Sequence, residues 1–320
     1  MNKEAKGMDY PGFIDYIQEH VREFICCNED WDDIVDIRIV PVIRNNETVV
    51  NTMWILEDGR LRCPQINLDD FFRDYCMSLD MDGVMEGILD IYRRSRSDDS
   101  LLDPEDMEDF FKIRDRIVLR LVSGSRNRNT LKLCPHRKLF DMAITYRILA
   151  GKNSGGISTL LVTDRLMQLW GLDEAAVYAL ALTNTQRIFP PRLKDMETVM
   201  GELSGAFPEE EKDGLFPKRG FHRNMMILTN DCGINGASVI CYPNLLKSCT
   251  RRLGPDFYIL PSSIHEVILL PKTSAVLPGE LVHTVHCANA NVVSQEEILS
   301  DCVYYFSSKM GKIQKYTGQI

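Results

Sequence analysis

No CxxC pair occurs among the ten cysteines of this 320-residue chain. That removes the zinc ribbon and the thioredoxin-type dithiol together. No GxSxG elbow occurs, so the strained strand-to-helix serine of the α/β hydrolases is missing. The glycines at 151, 155 and 156 are not followed by the Lys-Ser or Lys-Thr ending of a phosphate loop, and Leu269 stands where a zinc-protease helix starting at His265-Glu266 would need its second histidine. No apolar run approaches the roughly 20 residues that span a bilayer. Positive charge is in deficit: 37 Lys and Arg face 46 Asp and Glu, for a net charge of −9. The balance favours solubility and argues against nucleic acid or an anionic membrane as the main partner. The opening MNKEAKGMDYPG has no apolar leader core. Scattered single cysteines then read as reduced thiols, and the expected compartment is the cytoplasm.

What is present is ordinary for a folded protein. Hydrophobic residues make up 44% and charged residues 26% of the chain. A chain of this length buries roughly three quarters of its unfolded surface, so it needs no covalent staples. Phe13, Ile17, Val21 and Phe24 recur at helical spacing and predict a helix over 11–25. Alternation over 34–44 and 48–56, around Asn45-Asn46, predicts a hairpin. Asn67 caps a helix to 77, and a second runs over 81–93. Asp103, Pro104 and a stripe from Met107 to Leu121 predict a further helix closed by Gly124. Its acids stand at the start and its bases at the end, in the order a helix dipole favours.

The polar stretch 123–130 is the expected boundary between an N-terminal part (1–125) and a C-terminal part (130–320). Beyond it short strands and helices alternate. Residues 139–149 read as a strand, with a helix as the open alternative. Strands are expected at 157–163, 225–229 and 237–242, the last two as a hairpin. A short helical turn is expected at 164–170. Helices follow Asp173 and are expected at 195–203, 243–254 and 278–287, and Ser294 with Glu297 suggests a short one. Residues 204–220 read as an exposed loop, and 301–306 with 312–316 as a closing hairpin. The expected fold class is α+β: a mixed, largely antiparallel sheet with flanking helices, plus a smaller N-terminal hairpin-and-helix part.

Residues 256–271, DFYILPSSIHEVILLP, form the densest apolar run. Pro261 cannot donate to a strand ladder, so pairing should break there. The candidate catalytic residues Ser262, Ser263, His265 and Glu266 fall in the resulting bend, as nucleophile, base and orienter. The same residues also have a structural reading, because Ser263 and Glu266 have the spacing of a capping box. The candidate binding residues are His136, Arg137 and Asp141 in CPHRKLFD, where Arg137 and Asp141 can clamp an anion or pair with each other, and Asn184 and Arg187 in NTQRIFPP. Residues 112–138 hold nine Lys or Arg against the single acid Asp115. Such a strip can bind phosphate or nucleic acid, but it has no interleaved aromatics, and seven acids lie just upstream over 98–109. His283, His286 and Cys287 lack a fourth ligand for a metal, and the spacing at Asp80–Gly83 is wrong for a calcium loop. Neither a metal nor a cofactor is expected.

CPHRKLFDMAITYRIL (134–149), WGLDEAAVYALALTNTQRIFP (170–190) and DFYILPSSIHEVILLP (256–271) together resemble an uncharacterised domain-of-unknown-function family of anaerobic gut Firmicutes. The shared motifs are PHRKLFD, NTQRIFP and ILPSSIHEVILLP. The likeness covers most of 34–306 and ends in a similar LSD-x-VY strand, here Leu299 to Tyr304. A fainter likeness over 157–271 is to another uncharacterised bacterial family of similar α+β layout. The resemblance implies an intact fold of bacterial, cytoplasmic origin and carries no catalytic residue across. The expected role is therefore binding or accessory, with a protein or small molecule as partner. The alternatives are a hydrolase or phosphate-handling enzyme at the Ser262-Ser263-His265-Glu266 bend, or nucleic-acid binding through 112–138.

Overall fold

The computed structural model describes residues 7–28, 33–59, 63–97, 102–153, 156–196, 198–199, 225–261, 263–272 and 277–316. The chain divides into two compact units, one of residues 1–44 and 48–105, the other of Asn45–Glu47 and Asp106–Ile320.

The first unit begins with α1 (Tyr10–Asn28). Phe13, Ile17 and Val21 are buried as the sequence predicts, and Ile25 completes the buried stripe in place of the expected Phe24, which is half-buried. The hairpin of β1 (Ile34–Ile43) and β2 (Val49–Glu57) pairs antiparallel, and β3 (Gln65–Asn67) adds to β2. Asn67 caps α2 (Leu68–Ser78) by accepting the Asp69 N–H at 3.1 Å. α3 (Met81–Ser97) closes the core with Ile88 and Tyr92. The buried Glu57 carboxylate accepts the Tyr92 hydroxyl at 2.8 Å and lies 3.4 Å from Arg96, which also forks onto Asp33.

The second unit holds two sheets. β4 (Ile117–Ser123) pairs along one edge of the long β6 (Met142–Asn153). The other edge of β6 takes β5 (His136–Leu139) and then β7 (Gly156–Leu161). The other sheet has six strands. β10 (Asp256–Leu260) and β11 (Val267–Pro271) lie at its centre. β9 (Met226–Asn230) and β8 (Pro191–Asp195) continue one side, and β12 (Tyr304–Ser307) and β13 (Lys312–Lys315) the other. Every pairing among the described strands is antiparallel. The helices of this unit include the single turns α4 (Phe110–Ile113) and α5 (Arg128–Leu131), then α6 (Asp164–Trp170), α7 (Glu174–Ile188), α8 (Leu245–Leu253) and α9 (Pro278–Asn291). The fold is α+β, as the sequence implies.

Several local expectations differ. The helix expected over 103–121 is a 3-10 turn (Pro104–Glu108), the one-turn α4 and then strand β4. Six of the seven residues of β4 are buried, so both faces are apolar and periodicity cannot separate strand from helix. Residues 237–242 form a buried 3-10 turn (Gly236–Cys241), not the second strand of a hairpin. The strand β8 is not among the expected elements, since it opens on Pro191, which cannot donate to a ladder. A proline is tolerated as the first residue of an edge strand. Of the expected helix at 195–203, Asp195 is in β8, Met196, Thr198 and Val199 are helical, and the rest lies outside the described residues, as does the whole of the loop at 204–220. Ser294 and Glu297 make a turn, in which the Glu297 N–H donates to the Ser294 carbonyl at 2.9 Å.

Candidate functional site

The bend between β10 and β11 is fastened on every side by hydrogen bonds. The Ile264 N–H donates to the Glu297 carbonyl at 2.9 Å, and the Ile264 carbonyl accepts the Ala237 N–H at 3.1 Å. Thr229 Oγ1 donates to the His265 carbonyl at 2.8 Å. Buried Ser263 accepts the His265 N–H at 3.0 Å and donates to Glu266 at 3.1 Å. Those are the bonds of a capped turn, and they explain Ser263 and Glu266 without chemistry. Ser262 lies outside the described residues.

His265 is the centre of the arrangement. Its Nδ1 accepts the backbone N–H of Asn235 at 3.2 Å. An amide N–H can only donate, so Nδ1 carries no proton and the ring proton sits on Nε2. Nε2 faces Glu297 Oε1 at 3.3 Å. Nδ1 is therefore committed to the loop after β9, and Nε2 lies beside the Glu297 carboxylate of the turn after α9. Gly236 lets the loop approach the bend, since any side chain there would run into Thr229, Asn230 and the His265 carbonyl.

The other candidate residues are not brought together at this bend. Arg137 forks onto Glu174 at 2.8 and 3.2 Å, and its guanidinium lies 3.8 Å over the Tyr178 ring. Glu174 also accepts the Tyr146 hydroxyl. Burial pushes the Glu174 carboxyl up, but the Arg137 and Tyr146 bonds outweigh it and hold it below the usual carboxylate value. Asp141 bonds not to Arg137 but to the hydroxyls of Ser300 (2.6 Å) and Tyr304. Exposed His136 makes a local bond to the Cys134 carbonyl at 3.0 Å. Buried Asn184 donates to the carbonyls of Arg114 (2.7 Å) and Ile117 (3.0 Å), and Arg187 donates to the Asp115 carbonyl at 2.9 Å. Within the basic strip, Lys112 pairs with Asp106, Arg114 with Asp115, and Arg126 with Asp301. His283 Nε2 and Cys287 Sγ are 3.5 Å apart on the exposed face of α9. Among the described residues no group of three or more His, Cys, Asp or Glu could hold a metal, and no helix is long and apolar enough to cross a membrane.

The sequence reading missed a recess in the second unit. Its floor is one face of the β4–β6–β7 sheet. Arg147 of β6 stands opposite Val118 of β4, so Arg120, two residues along β4, lies diagonally beside it on the same face. Thr159 of β7 lines the recess too. Asn235 and Ser238, from the loop that His265 holds, form the opposite wall. The Nε of Arg147 is buried and has no hydrogen-bond partner among the described residues. Burial pulls the Arg147 pKa down from its ordinary value. The available signal was a lone arginine inside an apolar strand, MAITYRILA, since buried arginine is rare without a partner.

The fold and these sites define an α+β protein of all-antiparallel sheets whose histidine-bearing bend supports the wall of a polar-lined recess. Residues 10–308 match the model of a family of unknown function, DUF5688, and the chain belongs to that family. No curated protein and no solved structure matches the chain.

Proposed function

We propose that the protein is a binding or accessory protein for a small molecule, held in the recess between the β4–β6–β7 face and the loop at Asn235, rather than a hydrolase. The observation that carries this reading is the double engagement of His265. With the Nδ1 lone pair taken by the Asn235 N–H and the ring proton on Nε2 beside Glu297, no ring lone pair is left to draw a proton from a serine. Ser263 is spent within its own turn. His265 acts instead as a strut that sets the position of the recess wall. A reducing cytoplasm, in a bacterium of the anaerobic gut Firmicutes, belongs to the same proposal. The ten free thiols support the reducing compartment, and the motif resemblance supports the origin.

Two measurements test the reading. A fluorophosphonate probe for activated serines should leave the native chain unlabelled. A thermal-shift screen with small polar metabolites should find a stabilising ligand whose effect shrinks in His265→Ala, because that variant releases the Asn235 wall. Labelling of Ser262 or Ser263 that His265→Ala abolishes would establish the hydrolase instead.

A further inference from the structure

We infer that β1, in the first unit, is an interface for a second copy of this chain. The two β1 strands pair edge to edge and antiparallel, about a two-fold axis at Ile37, and join two three-stranded sheets into one of six strands. The inference does not depend on the recess.

Among the described strands β1 has β2 on one side only. An apolar edge strand is a template for another chain, and the charged residues of β1 (IVDIRIVPVI) are Asp36 and Arg38. The register tells which backbone groups are open. The Arg44 N–H donates to the Thr48 carbonyl at 2.8 Å, and bonded and non-bonded pairs alternate along an antiparallel ladder. Along the constant register from Ile43–Val49 to Asp36–Leu56, the residues bonded to β2 are Val42, Val40, Arg38 and Asp36. Ile43, Pro41, Ile39 and Ile37 turn their backbone groups to the other side. Pro41, which has no N–H to give, falls in this second set, where β2 does not need one. Val35 is the extra residue of the bulge between Ile34 and Asp36, so it is unpaired against β2, and it is 59% exposed.

A second copy can bond only where outward residue meets outward residue. Centred on Ile37, the pairing sets Ile37 against its own copy and Val35 against Ile39, and it sets Asp36 against Arg38 on both sides of the axis. Centred on Asp36 or Arg38, it opposes like charges, which is destabilising. Centred on Ile39 or beyond, it draws Pro41 into the ladder and loses a bond. Asp36 and Arg38 already pair along the strand at 2.6 Å, with side chains 42% and 64% exposed. Across the axis each carboxylate meets a second guanidinium, so the four charges alternate. Exposed ion pairs contribute little energy. Their part is to select the register, while the main-chain bonds hold the strands together. Ile37 and Ile39 pack on the core of their own unit, and the pairing continues that apolar face across the axis.

The test is analytical ultracentrifugation of the full chain from micromolar to near-millimolar concentration, with circular dichroism and Tm as the control for folding. The wild type should show a reversible monomer–dimer equilibrium. Arg38→Asp gathers four acids at the axis and Asp36→Arg four bases. Each should weaken the dimer at least about tenfold and keep the wild-type spectrum, since both side chains are substantially exposed. An equimolar mixture of the two variants sets acids against bases again and should associate as a heterodimer. The double variant Asp36→Arg/Arg38→Asp should dimerise by itself. A wild type that stays monomeric throughout, or a dimer that survives Arg38→Asp, overturns the inference. A mixture that associates no better than either variant alone overturns it as well, because the register centred on Ile37 requires the rescue.

Discussion

A methyl group at Gly236 would lie 2.8 Å from the Asn230 nitrogen and nearer still to Thr229 Oγ1 and the His265 carbonyl. Two of those neighbours are backbone and cannot swing away. Gly236→Ala is therefore expected to cost at least about 3 kcal/mol, in the range of a severe core defect. Gly59 gives the contrast. Its φ is +68° but nothing lies within 4 Å, so Gly59→Ala should cost only about 1 kcal/mol. Urea midpoints of the two variants check the difference, and equal midpoints would refute the close packing of loop and bend. Asp141 carries a pH signature. Burial pushes its carboxyl up, but the Ser300 and Tyr304 hydroxyls more than offset this, and its folded pKa lies below the ordinary value. A depressed carboxylate contributes stability above its unfolded pKa of about 4, and that contribution is lost as pH falls through the folded value. Asp141→Asn should therefore be less stable by about 2 kcal/mol near neutral pH, with the gap closing as pH falls below the unfolded value and through the lower folded one. A gap independent of pH would show that the charge is not the source.

At the scale of elements, the NTQRIFP motif explains itself as an edge cover. Among the described strands β4 has β6 on one side only, and an open strand edge invites pairing with another chain. α7 closes it with side chains: Asn184 donates to the Ile117 carbonyl, and Thr185 Oγ1 accepts the Leu119 N–H at 2.8 Å. The Tyr242 hydroxyl then caps the end of α7, donating to the carbonyls of Thr185 (3.1 Å) and Phe189 (2.8 Å). Asn184→Leu strands the buried Ile117 carbonyl and removes the donor to the Arg114 carbonyl, and should cost about 2 kcal/mol, with self-association appearing in light scattering as the edge is uncovered. A monodisperse, fully stable Asn184→Leu protein would contradict the edge-cover role. These side chains were visible in the sequence as a helix end, but their partners were not, because the bonds join residues about seventy positions apart.

Across the whole molecule, what could be read ahead of the structure follows one rule. Elements whose signal is local came through: the stripe of α1, the Asn45-Asn46 hairpin, the Asn67 cap, and the break in pairing at Pro261 between β10 and β11. Elements whose form depends on distant neighbours did not. β4 looked helical because both of its faces are buried, and β8 becomes a strand only because β9 lies beside it. The bend was legible as a place of interest, and its capping box as a structural reading. The recess was not, since Arg120, Arg147, Thr159 and Asn235 meet only through strand register and loop packing. All ten cysteines are free. Ellman titration in denaturant should therefore find the full complement of thiols without added reductant, and reductant should leave the Tm unchanged. A shortfall would mean that disulfides form in solution.

The most direct test of the account is the protonation state of the His265 ring, read by long-range proton–nitrogen NMR on histidine-labelled protein and assigned by its absence in His265→Ala. The account predicts the Nε2–H tautomer, an unprotonated Nδ1 that accepts the Asn235 N–H, and a slowly exchanging Nε2 proton held toward Glu297. A ring protonated on Nδ1, with Nε2 free as an acceptor, would return His265 to the role of a base and contradict the reading of the bend as a strut for the recess.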